Sequence, residues 1–221
     1  MDVGANIGQH TLFFADAFPG NTVVAYEMNP EAFGFLSTNV TSNGLSNVKL
    51  VNRGLSDMQR RCGVLSPRDN PIGGAQLDLH CQERNVEIVT LDEDLGSLGI
   101  VGMSDIPLIK LDVEGHENHC LRGALKTIKK YRPFLFLECK EVMQYKWLTT
   151  LMDELSYVLV EASPGFFPNF LFVHREHMST YFTDPELDWV RTDYGFRIVK
   201  SWQLVRKLRV VSAGQNDNLP T

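Results

Sequence analysis

Hydrophobic and polar positions along the chain follow two rhythms. Short continuous apolar runs alternate with longer stretches in which apolar residues return every three or four positions. "TVVAYE" (22–27), "NVKLVN" (47–52), "IPLIKLD" (106–112), "PFLFLE" (133–138), "YVLVEA" (157–162) and "NFLFVH" (169–174) are runs of the first kind, and each predicts a strand. After the first of them, Asn29-Pro30-Glu31 supplies an N-cap, a proline at the first helical position and an acid in the first turn. That helix is expected to run to about Ser42 and stop at Asn43-Gly44. "GHENHCLRGALKTIKKY" (115–131) predicts one helix, with Leu121, Ala124, Leu125 and Ile128 on one face and lysines at its end. A further helix is expected near 141–155.

Residues 60–91 break the rhythm. "RCGVLS", "AQLDLH" and "VEIVTL" are strand-like and separated by proline and glycine turns, which predicts an inserted antiparallel excursion. Elsewhere strand and helix alternate, so the expected fold is α/β, a doubly wound, mostly parallel sheet. Only Ala162 to Pro168 separates the last two strands, too short for a helical crossover, so they are expected to pair antiparallel at one end. The pattern places one domain over 1–178 and a C-terminal extension over 179–221. In the extension, "RIVKSWQLVRKLR" (197–209) sets Ile198, Trp202, Val205 and Leu208 at helical spacing, with Arg197, Lys200, Arg206, Lys207 and Arg209 and no acid. It reads as a solvated face over an apolar stripe or as a docking surface for an anionic partner or neighbouring domain. The last ten residues read as disordered.

Composition narrows the class. The 221 residues are 43% hydrophobic and 22% charged, ordinary for a globular protein. A net charge of −6 argues against nucleic acid as a partner. No apolar run reaches the ~18 residues of a membrane span, and no secretion signal opens the chain. Four cysteines without a C-x-x-C pair read as reduced thiols, and the expected location is cytoplasmic. The sequon at Asn39 lies in an expected helix and is discounted.

The chemistry gathers at the expected carboxyl ends of the strands. "MDVGANIGQHTLFFADAF" sets Asp2, Gly4, Asn6 and Gly8 in the turn of a βα unit, where glycines let a ligand approach backbone N–H groups. Glu27 ends the second strand, placed to accept hydrogen bonds from both hydroxyls of a ribose. "LDVEGHE" brings Asp112, Glu114, His116 and Glu117 to the end of another strand. A dinucleotide is disfavoured, because Asn6 stands where the central glycine of G-x-G-x-x-G belongs and no Tyr-x-x-x-Lys occurs. An acid before the glycines, an asparagine within the loop and an acid after strand two suit a ligand with an amine, a ribose and no phosphate. S-adenosylmethionine fits. Each feature also has a plainer reading: an ordinary βα turn, a solvated strand-end acid at Glu27, turn formers at Ser56-Asp57, and helix caps at Asp112 and Glu114. The His116/His119 and His174/His177 pairs lack the i, i+4 spacing of a zinc helix. Phe166, Phe167 and Phe170 either line an acceptor mouth or pack in the core.

In family order, the stretches "DVGANIGQHTLFFA", "VVAYEMNPEAFGFLSTNV", "NVKLVNRGLSD", "VTLDEDL", "IPLIKLDVEGHENHCLRGA", "RPFLFLE" and "NFLFV" resemble the FkbM-type family of class I S-adenosylmethionine-dependent methyltransferases. The resemblance covers residues 1 to about 174 and implies a Rossmann-like sheet with an antiparallel final strand. Its first strand leads into "DVGAN" and is truncated here, so the chain reads as a domain excised from a longer polypeptide or one with a late-assigned start, with a naturally shortened strand as the alternative. The resemblance implies methyl transfer to an oxygen of a sugar, polyketide or lipid-like hydroxyl, with a sugar hydroxyl of a glycan or glycoconjugate favoured. Asp2, Gly4, Asn6, Gly8, Glu27, Asn29, Ser56 and Asp112 are the expected cofactor residues. His116 is the expected base, with Glu114 or Asp112 orienting or replacing it. A Mg²⁺-assisted variant through Asp112 and Glu138 stands second, and a non-catalytic cofactor-binding module of a larger protein is the competing class.

Overall fold

The computed structural model describes residues 1–67, 69, 72–78, 85–99, 105–139, 142–163, 169–181, 189–191 and 197–199. Its centre is the two-residue strand β1 (Asp2–Val3), which pairs in parallel with β2 (Val23–Tyr26) on one side and β8 (Leu108–Leu111) on the other. The first helix, α1 (Gln9–Ala17), begins at Gly8, whose φ of +100° a side chain would resist. In α2 (Pro30–Ser42) the cap is Asn29, whose side-chain oxygen accepts from the Glu31 N–H at 3.0 Å. Asn39, the sequon asparagine, spends its amide on the Ile7 carbonyl at 2.7 Å, tying α2 to the β1–α1 loop. β3 (Val48–Val51) completes that side of the sheet.

The excursion is a second, four-stranded sheet of β4 (Gly54–Leu55), β5 (Arg60–Leu65), β6 (Gln76–Asp78) and β7 (Val86–Val89), in the order β4-β7-β5-β6. β5 pairs antiparallel with both β6 and β7, as its turns predict, while β4 joins β7 in parallel. Short α3 (Leu91–Ser97) leads back to the main sheet.

The single helix expected over 115–131 is two helices, α4 (Glu117–Arg122) and α5 (Leu125–Tyr131). The break falls at Gly123, which packs so close to the chain after β4 that a Cβ would lie 1.9 Å from the Ser56 carbonyl oxygen. The orphaned N–H groups that open α5 are met from outside: the Asp92 carboxylate accepts from Lys126 N–H at 3.0 Å and Thr127 N–H at 2.7 Å. Helical periodicity carries no trace of these tertiary partners.

β9 (Phe134–Glu138), α6 (Val142–Glu154), β10 (Tyr157–Ser163), β11 (Asn169–His174) and α7 (Arg175–Tyr181) follow. The main sheet has the order β10-β11-β9-β8-β1-β2-β3, with β11 antiparallel to both neighbours and the other described pairings parallel. Val3, Tyr26, Ile109, Leu111, Leu121, Ile128, Leu135, Leu148 and Phe172 form one continuous core around this sheet. Phe170 is part of it, 6.4 Å from the Phe172 ring, so core packing is its role; Phe166 and Phe167 lie outside the described residues. β12 (Trp189–Arg191) and β13 (Arg197–Val199) form an antiparallel ribbon. The helical spacing over 197–209 is therefore overturned at its first three residues, where β pairing replaces it, and residues 200–209 lie outside the described set. Among the described residues no helix is long and apolar enough to cross a membrane.

Candidate active site

The β1–α1 loop is held by backbone contacts that leave no room for side chains. Gly4 (φ +74°) runs so close to β8 that a Cβ would lie 1.8 Å from the Asp112 carbonyl oxygen. Gly4 and Ala5 both donate their N–H groups to the Tyr26 carbonyl, at 3.0 and 2.9 Å. Asn6 sits at φ +51°, a conformation asparagine tolerates better than most residues, and its N–H donates to Glu27 Oε2 at 2.7 Å. The other oxygen of Glu27 accepts from the Asn29 N–H at 2.8 Å. Burial raises the Glu27 pKa, and these backbone donors pull against that shift. Asn6 Oδ1 is buried with no hydrogen-bond partner.

Beside this loop lies a charge cluster that sequence reasoning missed. The Lys110 ammonium is 2% exposed and stands 3.2 Å from Asp2 Oδ1 and 3.5 Å from Asp112 Oδ2. Asp2 and Lys110 are cross-strand partners in the β1–β8 register, and Asp112 lies two residues beyond Lys110 at the end of the same strand. Thr11 donates to Asp2 Oδ2 at 2.6 Å. The only sequence signal was a lysine inside the apolar run "PLIKLD". Among the described residues no group of three or more His, Cys, Asp or Glu side chains is arranged to hold a metal ion.

After β8 the chain turns through two left-handed residues, Glu114 (φ +57°) and Gly115 (φ +94°). Buried Glu117 braces this turn, its Oε1 accepting from Val113 N–H at 3.1 Å and Gly115 N–H at 3.2 Å. Desolvation raises the Glu117 pKa despite those donors. His116 follows, with Nε2 3.0 Å from Ser56 Oγ and its ring stacked on that of His119 at 4.5 Å. Burial first, then the nearby His119 and Arg60, push its pKa down to about 4. His119 Nδ1 lies 2.9 Å from Asp57 Oδ2, and the hydrogen bond from His119 holds the Asp57 carboxyl below its usual range.

These elements enclose an open cleft at the carboxyl ends of β1, β2 and β8. Of the residues expected from sequence, Gly4, Asn6, Glu27, Asp112, Glu114 and His116 line it. Asp2 and Gly8 stand behind the lining as structural supports, Asn29 is engaged as the α2 cap, and fully buried Ser56 lies under His116. The excursion contributes an unforeseen wall of Ile72, Ala75 and Leu77. Arg53 also reaches the cleft, bonded to Glu87 at 2.9 Å and Asp94 at 2.6 Å.

A parallel sheet in this strand order, reversed only at β11, with its cleft at the β1 switch point, is the Rossmann-like architecture of class I methyltransferases. The chain belongs to the methyltransferase FkbM domain family, whose description matches residues 2–198. A crystal structure of a methyltransferase FkbM from Methylobacillus flagellatus KT shares the fold, with a TM-score of 0.56 and 20% identity over 78% of this chain and 42% of that one. Among curated proteins, the chain is 28% identical over 156 residues to the hexuronic acid methyltransferase AglP of Haloferax volcanii, covering 69% of this chain and 60% of that protein. It is 25% identical over 145 residues to methyltransferase 1 of Beauveria bassiana, covering 56% of this chain and 57% of that protein. The chain thus spans less than two thirds of the length of these curated relatives.

Proposed function

We propose that this chain binds S-adenosylmethionine in the cleft and directs its methyl group to a hydroxyl oxygen, that of a sugar in a glycan or glycoconjugate. The observation that carries the reading is the unpartnered Asn6 Oδ1, buried in a glycine turn beside the Glu27 carboxylate. A buried acceptor without a donor costs roughly 1–3 kcal/mol. A ligand N–H or O–H relieves that cost. Gly4, Asn6, Glu27 and Asp112 are the residues that hold the cofactor. When bound, S-adenosylmethionine supplies a methyl group on a positively charged sulfur.

The chain's own part is to orient the acceptor and take its proton. His116 is neutral at pH 7, because its pKa lies near 4, so its lone pair is ready for a hydroxyl proton. A base this weak contributes toward the lower end of the ~10²–10⁴-fold expected of proton transfer. Positioning supplies more, up to ~7–11 kcal/mol of the barrier. The sugar acceptor draws support from the likeness to a protein named for hexuronic acid methylation.

Calorimetry on the intact chain with S-adenosylhomocysteine and, separately, NAD tests the cofactor assignment. Binding of the sulfur ligand alone is expected. Binding of NAD with no affinity for S-adenosylhomocysteine overturns it.

A further inference from the structure

Ser56, expected from sequence among the cofactor residues, is fully buried and does not line the cleft. Its hydroxyl touches three groups: Asp57 Oδ1 at 3.1 Å, Arg60 Nη2 at 3.1 Å and His116 Nε2 at 3.0 Å. A serine hydroxyl has one proton to give and two lone pairs to fill. Arg60 can only donate, so it takes one lone pair. That leaves a single proton for two claimants, the Asp57 carboxylate and the His116 ring nitrogen.

The charged claimant wins. Asp57 is ionised, because the His119 hydrogen bond favours its anion, and a carboxylate is a stronger acceptor than a neutral imidazole. Giving the proton to His116 would also leave a carboxylate oxygen facing a serine lone pair at 3.1 Å. Giving it to Asp57 satisfies every partner, provided that His116 Nε2 carries a hydrogen and donates it into the second lone pair of Ser56.

We infer that Ser56, set by Asp57 and Arg60, is a positioning residue that fixes His116 as its Nε2–H tautomer and leaves Nδ1 as the only proton acceptor of that ring. The consequence for catalysis rests on the reading of His116 as the base. In the forward step the acceptor hydroxyl gives its proton to Nδ1 while its oxygen bonds the incoming methyl carbon. The carbon–sulfur bond breaks with its electron pair on sulfur, and His116 is left as an imidazolium with both nitrogens protonated. The groups facing His116 are Ser56, Asp57, Arg60 and His119. Asp57 steadies that cation, and Arg60 and His119 oppose it, so the proton passes readily to solvent through the open cleft.

The test is ¹⁵N NMR of the intact chain labelled in histidine, near pH 7. His116 is assigned by its loss in His116→Gln. In the parent chain Nε2 is expected to be protonated and Nδ1 bare. Asp57→Asn removes the charged claimant and frees the Ser56 proton for Nε2, so the tautomer should shift toward Nδ1–H. Ser56→Ala should give a mixture of both forms, and Ser56→Thr should restore the parent state. A merely structural role for Ser56 would lower the melting temperature in Ser56→Ala and leave the tautomer unmoved. Where Ser56→Ala fails to fold, the parent chain and Asp57→Asn decide the matter. An Nδ1–H tautomer in the parent, or no change in Asp57→Asn, overturns the inference. With turnover as a second readout, Ser56→Ala should lower kcat about tenfold or more at nearly constant KM. Full turnover in His116→Gln would defeat the base reading and leave the tautomer assignment standing.

Discussion

The N–H of Asn6 lies 2.7 Å from Glu27 Oε2, so two residues expected to hold one ligand are bonded first to each other. Together with the Asn29 N–H on Oε1, this contact makes the Glu27 carboxylate the brace that sets the β1–α1 and β2–α2 loops at a fixed separation. A site built this way is formed before its ligand arrives, and its loops do not have to be ordered on binding.

Glu27→Gln keeps the shape of the side chain and turns one acceptor into an N–H group facing another N–H. The loss of one charge-assisted bond and the clash that replaces it should weaken S-adenosylhomocysteine binding by roughly 1.5–3 kcal/mol. Titration calorimetry reads this directly. Unchanged affinity would make Glu27 a strand-end acid with no part in the site.

Lys110 neutralises two carboxylates, and Asp2 beside it is fully buried. Removing the cation alone leaves an uncompensated buried charge, worth roughly 3–5 kcal/mol of stability. Lys110→Met should therefore lower the urea midpoint sharply, and Asp2→Asn in the same chain should recover part of the loss. Additive single effects in this double-mutant cycle would show that the two groups do not interact.

Gly4→Ala places a methyl group where the Asp112 carbonyl oxygen already stands, in a left-handed conformation as well. The β8 backbone cannot yield as a flexible side chain would, so the cost should reach or exceed ~1–3 kcal/mol. Gly8→Ala, also at a positive φ, meets chiefly the end of the flexible Leu36 side chain, at 2.7 Å, and should cost less than Gly4→Ala. Circular dichroism melts of the two variants rank them.

His116 gives the fold a pH dependence whose sign is fixed. Its pKa is lowered from 6.5 to about 4 on folding, chiefly by burial, so below pH 6.5 the unfolded chain binds the proton more tightly. The His116 contribution is fully present above pH 6.5 and is lost as pH falls toward 4. The stability difference between the parent chain and His116→Gln should change across that window and be flat above it. A difference that is constant from pH 7 to pH 4 would contradict the buried neutral ring.

Much of the architecture was legible because strand runs and caps are local signals. The Asn29-Pro30 start of α2, the antiparallel β10–β11 pair and the β5–β7 excursion all appear where the residues placed them. What escaped was non-local. The split falls at Gly123, packed against a carbonyl 67 positions away at Ser56, and the α5 cap comes from Asp92. Lys110 looks like a flaw in an apolar run until the β1–β8 register sets it against Asp2. Ser56 was singled out for its place after a strand, and only its contact with His116, 60 positions on, gives it a different part.

Transfer of an isotope-labelled methyl group is the most direct measurement of the central claim. The intact chain is incubated with labelled S-adenosylmethionine and a panel of hexosides and hexuronides, and the products are read by mass and by alkali treatment. Label is expected on a sugar as an alkali-stable ether, lost in His116→Gln and unaffected by EDTA. Label held as an alkali-labile ester, or transfer that EDTA abolishes and Mg²⁺ restores, would contradict that claim.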